Sequence, residues 1–248
     1  MGRVEKEVRL ELLSALTGAT VKPYTDLRAR NTTELNIYNL LSSFLTDESH
    51  VPLRRAALGF SSSHEVLCVD IDELFDPKYD YDFTHCTDKS VCWRGDELYK
   101  RPYGWNRIAL KVLDKYPEGN TWLGTDGWRS HSVVGEWPVS YHGTSIEGAR
   151  GIISSHYKAG PRQLYGREVY STCDIDQASG YSMEFTSKKN GKTYRVLMQN
   201  RINPDMRKVC QRQDYWLIEI PEGTTPDKVK EIVEKSIRPY GILLKEVK

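Results

Sequence analysis

The chain has 248 residues and a formal net charge of +1 at pH 7, with 39% hydrophobic and 28% charged residues. This composition is typical of a globular protein, and the length suffices for one large domain or for a small module beside a larger one. A net charge near zero argues against nucleic acid or an anionic membrane surface as a partner, and no apolar run reaches the roughly 18 to 20 residues of a membrane span.

The cysteines and acidic residues indicate the compartment and the absence of a metal site. Five cysteines without a Cys-x-x-Cys pair predict reduced thiols and a location in the cytosol, with secretion by a route without a cleavable signal left as an alternative. His85, Cys86 and Cys92 lack the paired spacing of zinc ligands, and the aspartates between 70 and 82 lack the glycine and terminal glutamate of an EF-hand. We therefore expect no metal.

Residues 1–75 are predicted to form a helical N-terminal region. Apolar residues at helical spacing run from Val4 to Leu16 and end at Gly18, and a second such pattern begins at about Thr33. A β-rich run follows at residues 65–71. The apolar stripes either pack into a core or dock a protein partner.

Residues 76–136 contain fewer clear signals. Residues 101–105 introduce a predicted amphipathic helix with Ile108, Val112 and Leu113 on one face. The glycine-rich loop 123–132 that follows is either an ordinary surface loop or a cover for a cofactor phosphate, with Arg129 as the charge partner.

Residues 136–182 hold the most informative motifs. Val139 and Tyr141 alternate with small or polar residues, which predicts a strand that ends at Gly143 and leaves His142 at its end. Residues 168–172 are β-branched and aromatic and predict a second strand. Asp174 is a suitable N-cap for a helix that runs toward Tyr181.

The C-terminal part alternates strands and turns. Residues 185–200 predict a hairpin around Asn190-Gly191, and residues 214–220 predict a further strand. Thr225 followed by Pro226 predicts the start of a helix, and residues 237–247 predict the last strand. Residues 76–248 are therefore expected to form an α+β domain.

Three motifs carry a resemblance to a known family. Tyr-His-Gly-Thr at 141–144, Val-Tyr-Ser-Thr at 169–172 and a tyrosine eleven residues after Tyr170 resemble motifs of the diphtheria-toxin and poly(ADP-ribose) polymerase class of ADP-ribosyltransferases. The resemblance implies a split antiparallel β-sheet core with flanking helices and NAD as co-substrate. It also implies that His142 binds the adenine-side ribose, Gly143 holds the nicotinamide amide and Tyr181 stacks on the nicotinamide ring. Tyr170 would support the pocket floor, and the motif residues Thr144 and Ser171 would complete the NAD site.

The third motif of that family is an acidic residue before an aromatic-rich strand. Asp214 occupies this place, where the polymerases carry glutamate, and Glu219 on the same strand is the alternative. Breaking the N-glycosidic bond of NAD passes through an oxocarbenium-like transition state, which a carboxylate stabilises. An aspartate is about 1.5 Å shorter than a glutamate by one C–C bond, so Asp214 must lie close to the ribose to act.

A second resemblance spans roughly residues 76–248. Asp-Tyr-Asp-Phe-Thr at 80–84, Arg-Pro-Tyr-Gly-Trp at 101–105 and Arg-Pro-Tyr-Gly-Ile at 238–242 are similar to a group of small proteins associated with bacterial effectors that ADP-ribosylate ubiquitin on threonine. The arginine-specific toxin class fits only at Ser171-Thr172 and is set aside. The resemblance implies a mono-ADP-ribosyltransferase catalytic domain that modifies a protein, with ubiquitin as the candidate acceptor and secretion into a host cell as an effector as the alternative location. It also implies that the helices of residues 1–75 recognise the protein substrate. An NAD glycohydrolase and a catalytically silent NAD or ADP-ribose binding module are the alternatives.

Overall fold

The computed structural model describes residues 4–17, 20–23, 32–34, 66–87, 91–124, 133–143, 168–210, 214–221 and 223–247. These residues form four α-helices, which are α1 (Lys6–Thr17), α2 (Ile71–Leu74), α3 (Ile175–Ser179) and α4 (Pro226–Ser236). Short 3-10 helices occur at Pro77–Tyr79 and Thr121–Leu123. The described strands are β1 (Thr20–Pro23), β2 (Thr32–Glu34), β3 (Val66–Val69), β4 (Tyr81–Asp82), β5 (Cys92–Arg94), β6 (Glu97–Tyr99), β7 (Asn106–Ala109), β8 (Val139–Gly143), β9 (Glu168–Thr172), β10 (Met183–Thr186), β11 (Thr193–Ile202), β12 (Lys208–Val209), β13 (Tyr215–Glu219) and β14 (Ile237–Glu246).

One sheet of nine described strands organises the fold. Its order is β12–β13–β9–β8–β11–β14–β7–β4, with β10 paired to β11 beside this path, and all of these pairs are antiparallel. A small parallel sheet has the order β1–β3–β2, and β5 and β6 form a separate hairpin. The protein is thus α+β with a mostly antiparallel sheet, which confirms the fold class predicted at this coarse level.

Several local predictions are confirmed by cap and turn geometry. Thr225 caps α4 by accepting a hydrogen bond from the backbone N–H of Lys228, and Pro226 is the first helical residue. The hairpin of β10 and β11 turns at Asn190-Gly191, where Gly191 has a φ of 71°. Such a positive φ suits glycine because it has no Cβ.

Helix α1 packs against the main sheet. Val8, Leu12, Leu13 and Leu16 are at most 2% exposed and belong to the same hydrophobic core as residues of β7, β8, β11 and β14. Polar contacts add to this packing, because the buried guanidinium of Arg9 donates a hydrogen bond to the carboxylate of Asp80. The carboxylate of Glu11 accepts hydrogen bonds from Ser187 Oγ and from the backbone N–H groups of residues 188 and 189, in the turn after β10.

Two predicted helices are wrong where the structure describes them. The segment after Trp105 forms strand β7, which pairs with β4 and β14, and Ile108 is fully buried between them. A short apolar run suits a buried strand as well as a helix, and here the neighbouring strands decide. The helix predicted from about Thr33 is replaced at its start by β2, which pairs in parallel with β3. The remainder of that prediction lies outside the described residues.

A buried ion pair fixes the chain where it enters β8. Arg201 on β11 and Glu136 have fully buried side chains, and their charged groups lie 2.7 Å apart. Arg201 also donates hydrogen bonds to the carbonyl oxygens of Trp137 and Leu123. Removing one partner of such a pair leaves an uncompensated buried charge at a cost of about 3–5 kcal/mol. This arrangement therefore holds the start of β8 in place relative to β11.

Candidate active site

Strands β8 and β9 are neighbours that diverge at the candidate site. β8 pairs with β11 along its whole length, from Val139 to Gly143. With β9 it has one described register pair, Tyr141 opposite Thr172. Beyond that pair the imidazole Nδ1 of His142 lies 2.5 Å from the backbone carbonyl oxygen of Tyr170. A side chain, rather than a backbone ladder, therefore joins the two strands at this point.

This contact determines the tautomer of His142. A carbonyl oxygen only accepts hydrogen bonds, so Nδ1 is protonated and donates a hydrogen bond to the backbone carbonyl oxygen of Tyr170. In a neutral ring Nε2 is then an acceptor nitrogen, which suits it to receive a hydroxyl proton of a sugar. His142 is half-buried, so the fold holds the ring without removing it from solvent.

Gly143 and Tyr181 are in direct contact, although 38 residues separate them in the sequence. A Cβ atom placed on Gly143 would lie 2.6 Å from Cβ of Tyr181 and 2.7 Å from its carbonyl oxygen. Real Cβ atoms do not approach other atoms this closely, so only glycine fits here. The motif that ends β8 and the tyrosine that follows α3 thus form one packed unit.

Asp214 directly precedes β13, beside the end of β9 and the start of α3. Its backbone carbonyl accepts a hydrogen bond from the N–H of Cys173 at 3.2 Å. One oxygen of its carboxylate accepts a hydrogen bond from the side-chain amide of Gln177 on α3. Counted along the sheet, Asp214 and His142 are two strands and two residues apart, or roughly 12 Å between their backbones.

Glu219 lies at the opposite end of β13 from Asp214. Its register partner on β9 is Glu168, and its carboxylate forms an ion pair of 2.6 Å with Lys208 on the edge strand β12. The side chain of Glu219 is 49% exposed. The structure thus directs Glu219 toward β12 and solvent, whereas Asp214 contacts the helix that leads to Tyr181.

Four further residues were predicted to bind the cofactor, and the structure describes two of them. Tyr170 is half-buried and pairs with Leu217, and Ser171 is 4% exposed with no hydrogen-bond partner for its Oγ among the described residues. Thr144 and Arg129 lie outside the described residues.

Charged groups near α3 influence one another. Asp174 caps α3, and its carboxylate lies 2.5 Å from the ammonium of Lys100. Burial acts to raise the pKa of Asp174, but the hydrogen bond from Lys100 and the backbone N–H groups of α3 outweigh it and lower the pKa. The same hydrogen bond raises the pKa of Lys100. Burial, followed by the Asp214 carboxylate, raises the pKa of the Cys173 thiol to about 11, so this thiol stays protonated at neutral pH.

Sequence reasoning missed Gln177 and Lys100 as members of this region. Asp174 and Gln177 have the spacing of a capping box, in which the side chain of the later residue bonds back to the N-cap backbone. The capping-box pattern accounts for a glutamine at position 177 by a contact within its own helix, so it does not predict the contact with Asp214. The contact depends on the pairing of β9 with β13, which sequence periodicity does not specify.

No protein-family model matches the sequence, and no curated protein matches it either. In the described part of the chain, no helix is long and apolar enough to cross a membrane. The function is therefore argued from the residues and their geometry.

Proposed function

We propose that this protein is a mono-ADP-ribosyltransferase that uses NAD as co-substrate and a protein side chain as acceptor. The motif resemblance implies this activity, and the geometry of the described residues supports it. The observation that carries the proposal is the contact between Gly143 and Tyr181, with His142 bonded to the backbone of Tyr170 beside it. The proposal depends on the combination of these contacts with the motif order, because a close approach of a glycine to another backbone also occurs at Gly95.

The residues present fit the groups that NAD offers. The acceptor nitrogen of His142 suits a ribose hydroxyl, and the ring of Tyr181 suits stacking on the flat nicotinamide. Because Gly143 has no side chain, its peptide groups can approach a ligand amide closely. Asp214 would stabilise the positive charge that develops on the ribose as nicotinamide leaves.

The proposed reaction exchanges one bond for another at a single carbon. The bond between ribose C1′ and the nicotinamide nitrogen breaks, and nicotinamide leaves with the bonding electron pair. An acceptor oxygen forms the new bond to C1′, and its proton passes to a carboxylate, for which Asp214 is the candidate. Since Asp214 stands where the polymerases carry glutamate, we expect single ADP-ribose units as the product.

The proposal is tested by incubating labelled NAD and a cell lysate with the wild-type protein, Asp214→Asn and Glu219→Gln. Each variant loses one carboxylate at one end of β13 and keeps the side-chain volume, so the two form a matched pair. We expect labelled protein from the wild type and Glu219→Gln, and a rate lower by at least about a hundredfold for Asp214→Asn, because one preorganised charge is lost.

Each other outcome has a defined meaning. Free ADP-ribose without labelled protein would favour a glycohydrolase, and no NAD consumption would favour a silent binding module. If Asp214→Asn is active and Glu219→Gln is inactive, the catalytic carboxylate is Glu219 at the other end of β13. A ladder of products on a gel would contradict the expectation of single units.

A further inference from the structure

Gln177 lies between the two parts of the proposed site. It is on α3, four residues before Tyr181, which packs against Gly143. Its side-chain Nε2 donates a hydrogen bond to the Asp214 carboxylate at the start of β13. One short helix thus carries the amide that contacts the proposed acid, and the tyrosine proposed to stack on nicotinamide follows its C-terminal end.

The side chain of Gln177 does not make its expected local bond. In a capping box it would bond to the backbone N–H of the N-cap residue Asp174. That N–H instead donates to Oγ1 of Thr172 at 3.0 Å. Thr172 therefore satisfies the N-cap, and the amide of Gln177 is left to reach across to Asp214.

The hydrogen bond from Nε2 to the Asp214 carboxylate orients the side-chain amide of Gln177, and its oxygen contributes no hydrogen bond among the described residues. Its Oε1 is buried and has no hydrogen-bond partner among the described residues. A buried polar atom without a partner lowers stability and calls for an explanation, such as a functional constraint. The hydrogen bond from Nε2 to Asp214 is such a constraint, because it gives the carboxylate a donor while Oε1 stays without a partner.

We propose that Gln177 is the positioning residue for Asp214. This inference rests on the proposed function, in which an aspartate replaces a longer glutamate. A hydrogen bond from a rigidly placed amide would restrict the carboxylate to one orientation, and an error of about 1 Å in a catalytic group can cost about a hundredfold in rate. The helix is itself fixed, because Asp174 caps it and pairs with Lys100 at 2.5 Å.

Steady-state kinetics of NAD cleavage in Gln177→Met and Gln177→Lys test this role. Gln177→Met keeps the length of the side chain and removes the donor, so we expect kcat to fall by on the order of tenfold to a hundredfold with KM for NAD within about twofold. Gln177→Lys restores a donor and should regain part of the lost turnover. Asp176→Asn, an exposed position on the same helix, is the control and should behave as the wild type.

A second measurement does not depend on activity. The side-chain amide signal of Gln177 in a nitrogen–proton NMR spectrum should shift in Asp214→Asn, because its charged acceptor is lost, and stay in place in Asp176→Asn. An unmoved signal in Asp214→Asn, or an unchanged kcat in Gln177→Met, would overturn the inference. If the wild type consumes no NAD and the Gln177 signal still shifts in Asp214→Asn, the proposed function is rejected and the contact is retained.

Discussion

Gly143 is the residue at which the proposed site tolerates the least change. An added Cβ would lie 2.6 Å from Cβ of Tyr181, so Gly143→Ala must displace the backbone after α3. We expect NAD affinity to fall by at least about tenfold, and the free energy of unfolding to fall by about 1–3 kcal/mol through overpacking. Isothermal titration calorimetry and thermal unfolding measure the two effects separately.

Gly119 offers a matched control for this substitution. Its φ is 78° and no atom lies within 4 Å of a Cβ placed there, so Gly119→Ala introduces backbone strain without a steric clash. We expect lower stability with unchanged NAD affinity. Equal NAD affinity in Gly143→Ala and the wild type would show that the contact with Tyr181 does not shape the binding site.

The residues of the site differ in how far sequence could predict them. His142, Gly143 and Tyr181 are each marked by a local motif, and the fold brings them near one another at the point where β8 and β9 diverge. Gln177 has a complete local explanation as a capping-box residue, so its contact with Asp214 was not predictable. A contact between residues 37 positions apart in sequence requires the register of β9 and β13.

Helix α3 is the element whose stability most directly concerns the site. Asp174→Ala removes both its N-cap and the partner of Lys100, and we expect the free energy of unfolding to fall by about 0.5–2 kcal/mol. Asp174→Asn keeps a good cap and removes only the charge, which should cost less than about 1 kcal/mol for a partly exposed pair. Thermal unfolding of both variants separates the cap from the charge.

The stabilisation that the charge of Asp174 gives the folded protein should be lost as the pH falls. The pKa of Asp174 is lowered in the folded protein, so the unfolded chain binds the proton more tightly. The added stability is fully present above the unfolded pKa of about 3.9 and is lost as pH falls through the lowered folded value. The difference between the wild type and Asp174→Asn should therefore be constant from about pH 5 to 8 and disappear in more acidic solution. A difference that persists there would assign the effect to the cap alone.

Elements with explicit start and stop signals were predictable, whereas short apolar segments were not. β9 and α4 have a strong strand composition and a Thr-Pro start, respectively, and both occur as predicted. The segment that contains β7 was predicted as a helix from Ile108, Val112 and Leu113, because so short an apolar pattern fits either period. Pro239 lies inside β14, opposite Asn200, where the register with β11 shifts by a bulge. Bulges are among the few places where a sheet accepts proline.

At the scale of the whole molecule, α1 affects how acceptor recognition can be tested. The sequence assigns substrate recognition to the N-terminal region, and deletion of residues 1–60 is the direct test of that prediction. The deletion would also remove four core side chains of α1 and the partner of Asp80. Losing one large buried side chain costs about 2–5 kcal/mol, so an inactive deletion variant would reflect unfolding. Surface substitutions are the more informative test.

Lys6 and Glu7 are exposed residues of α1 and suit such a test. If the N-terminal region binds the acceptor, reversing both charges should slow protein modification and leave NAD hydrolysis unchanged, because both residues are exposed on α1 and neither is a proposed NAD-site residue. The ratio of the two rates, measured in one preparation, is independent of the amount of folded protein. An unchanged ratio would place the acceptor-binding surface elsewhere.

The acceptor itself is the last prediction: a hydroxyl side chain, with threonine on ubiquitin as the candidate that the resemblance implies. A hydroxyl is a poor nucleophile at neutral pH and needs a nearby base, for which Asp214 is available at the start of β13. Recognition of one folded protein typically takes about 800 Å² of surface on each partner, which is more than a nucleotide cleft provides. Intact mass measurement after incubation with NAD and purified ubiquitin should show ubiquitin carrying one ADP-ribose, and none with Asp214→Asn. Unmodified ubiquitin beside modified lysate proteins would reject ubiquitin as the target and leave the transferase proposal standing.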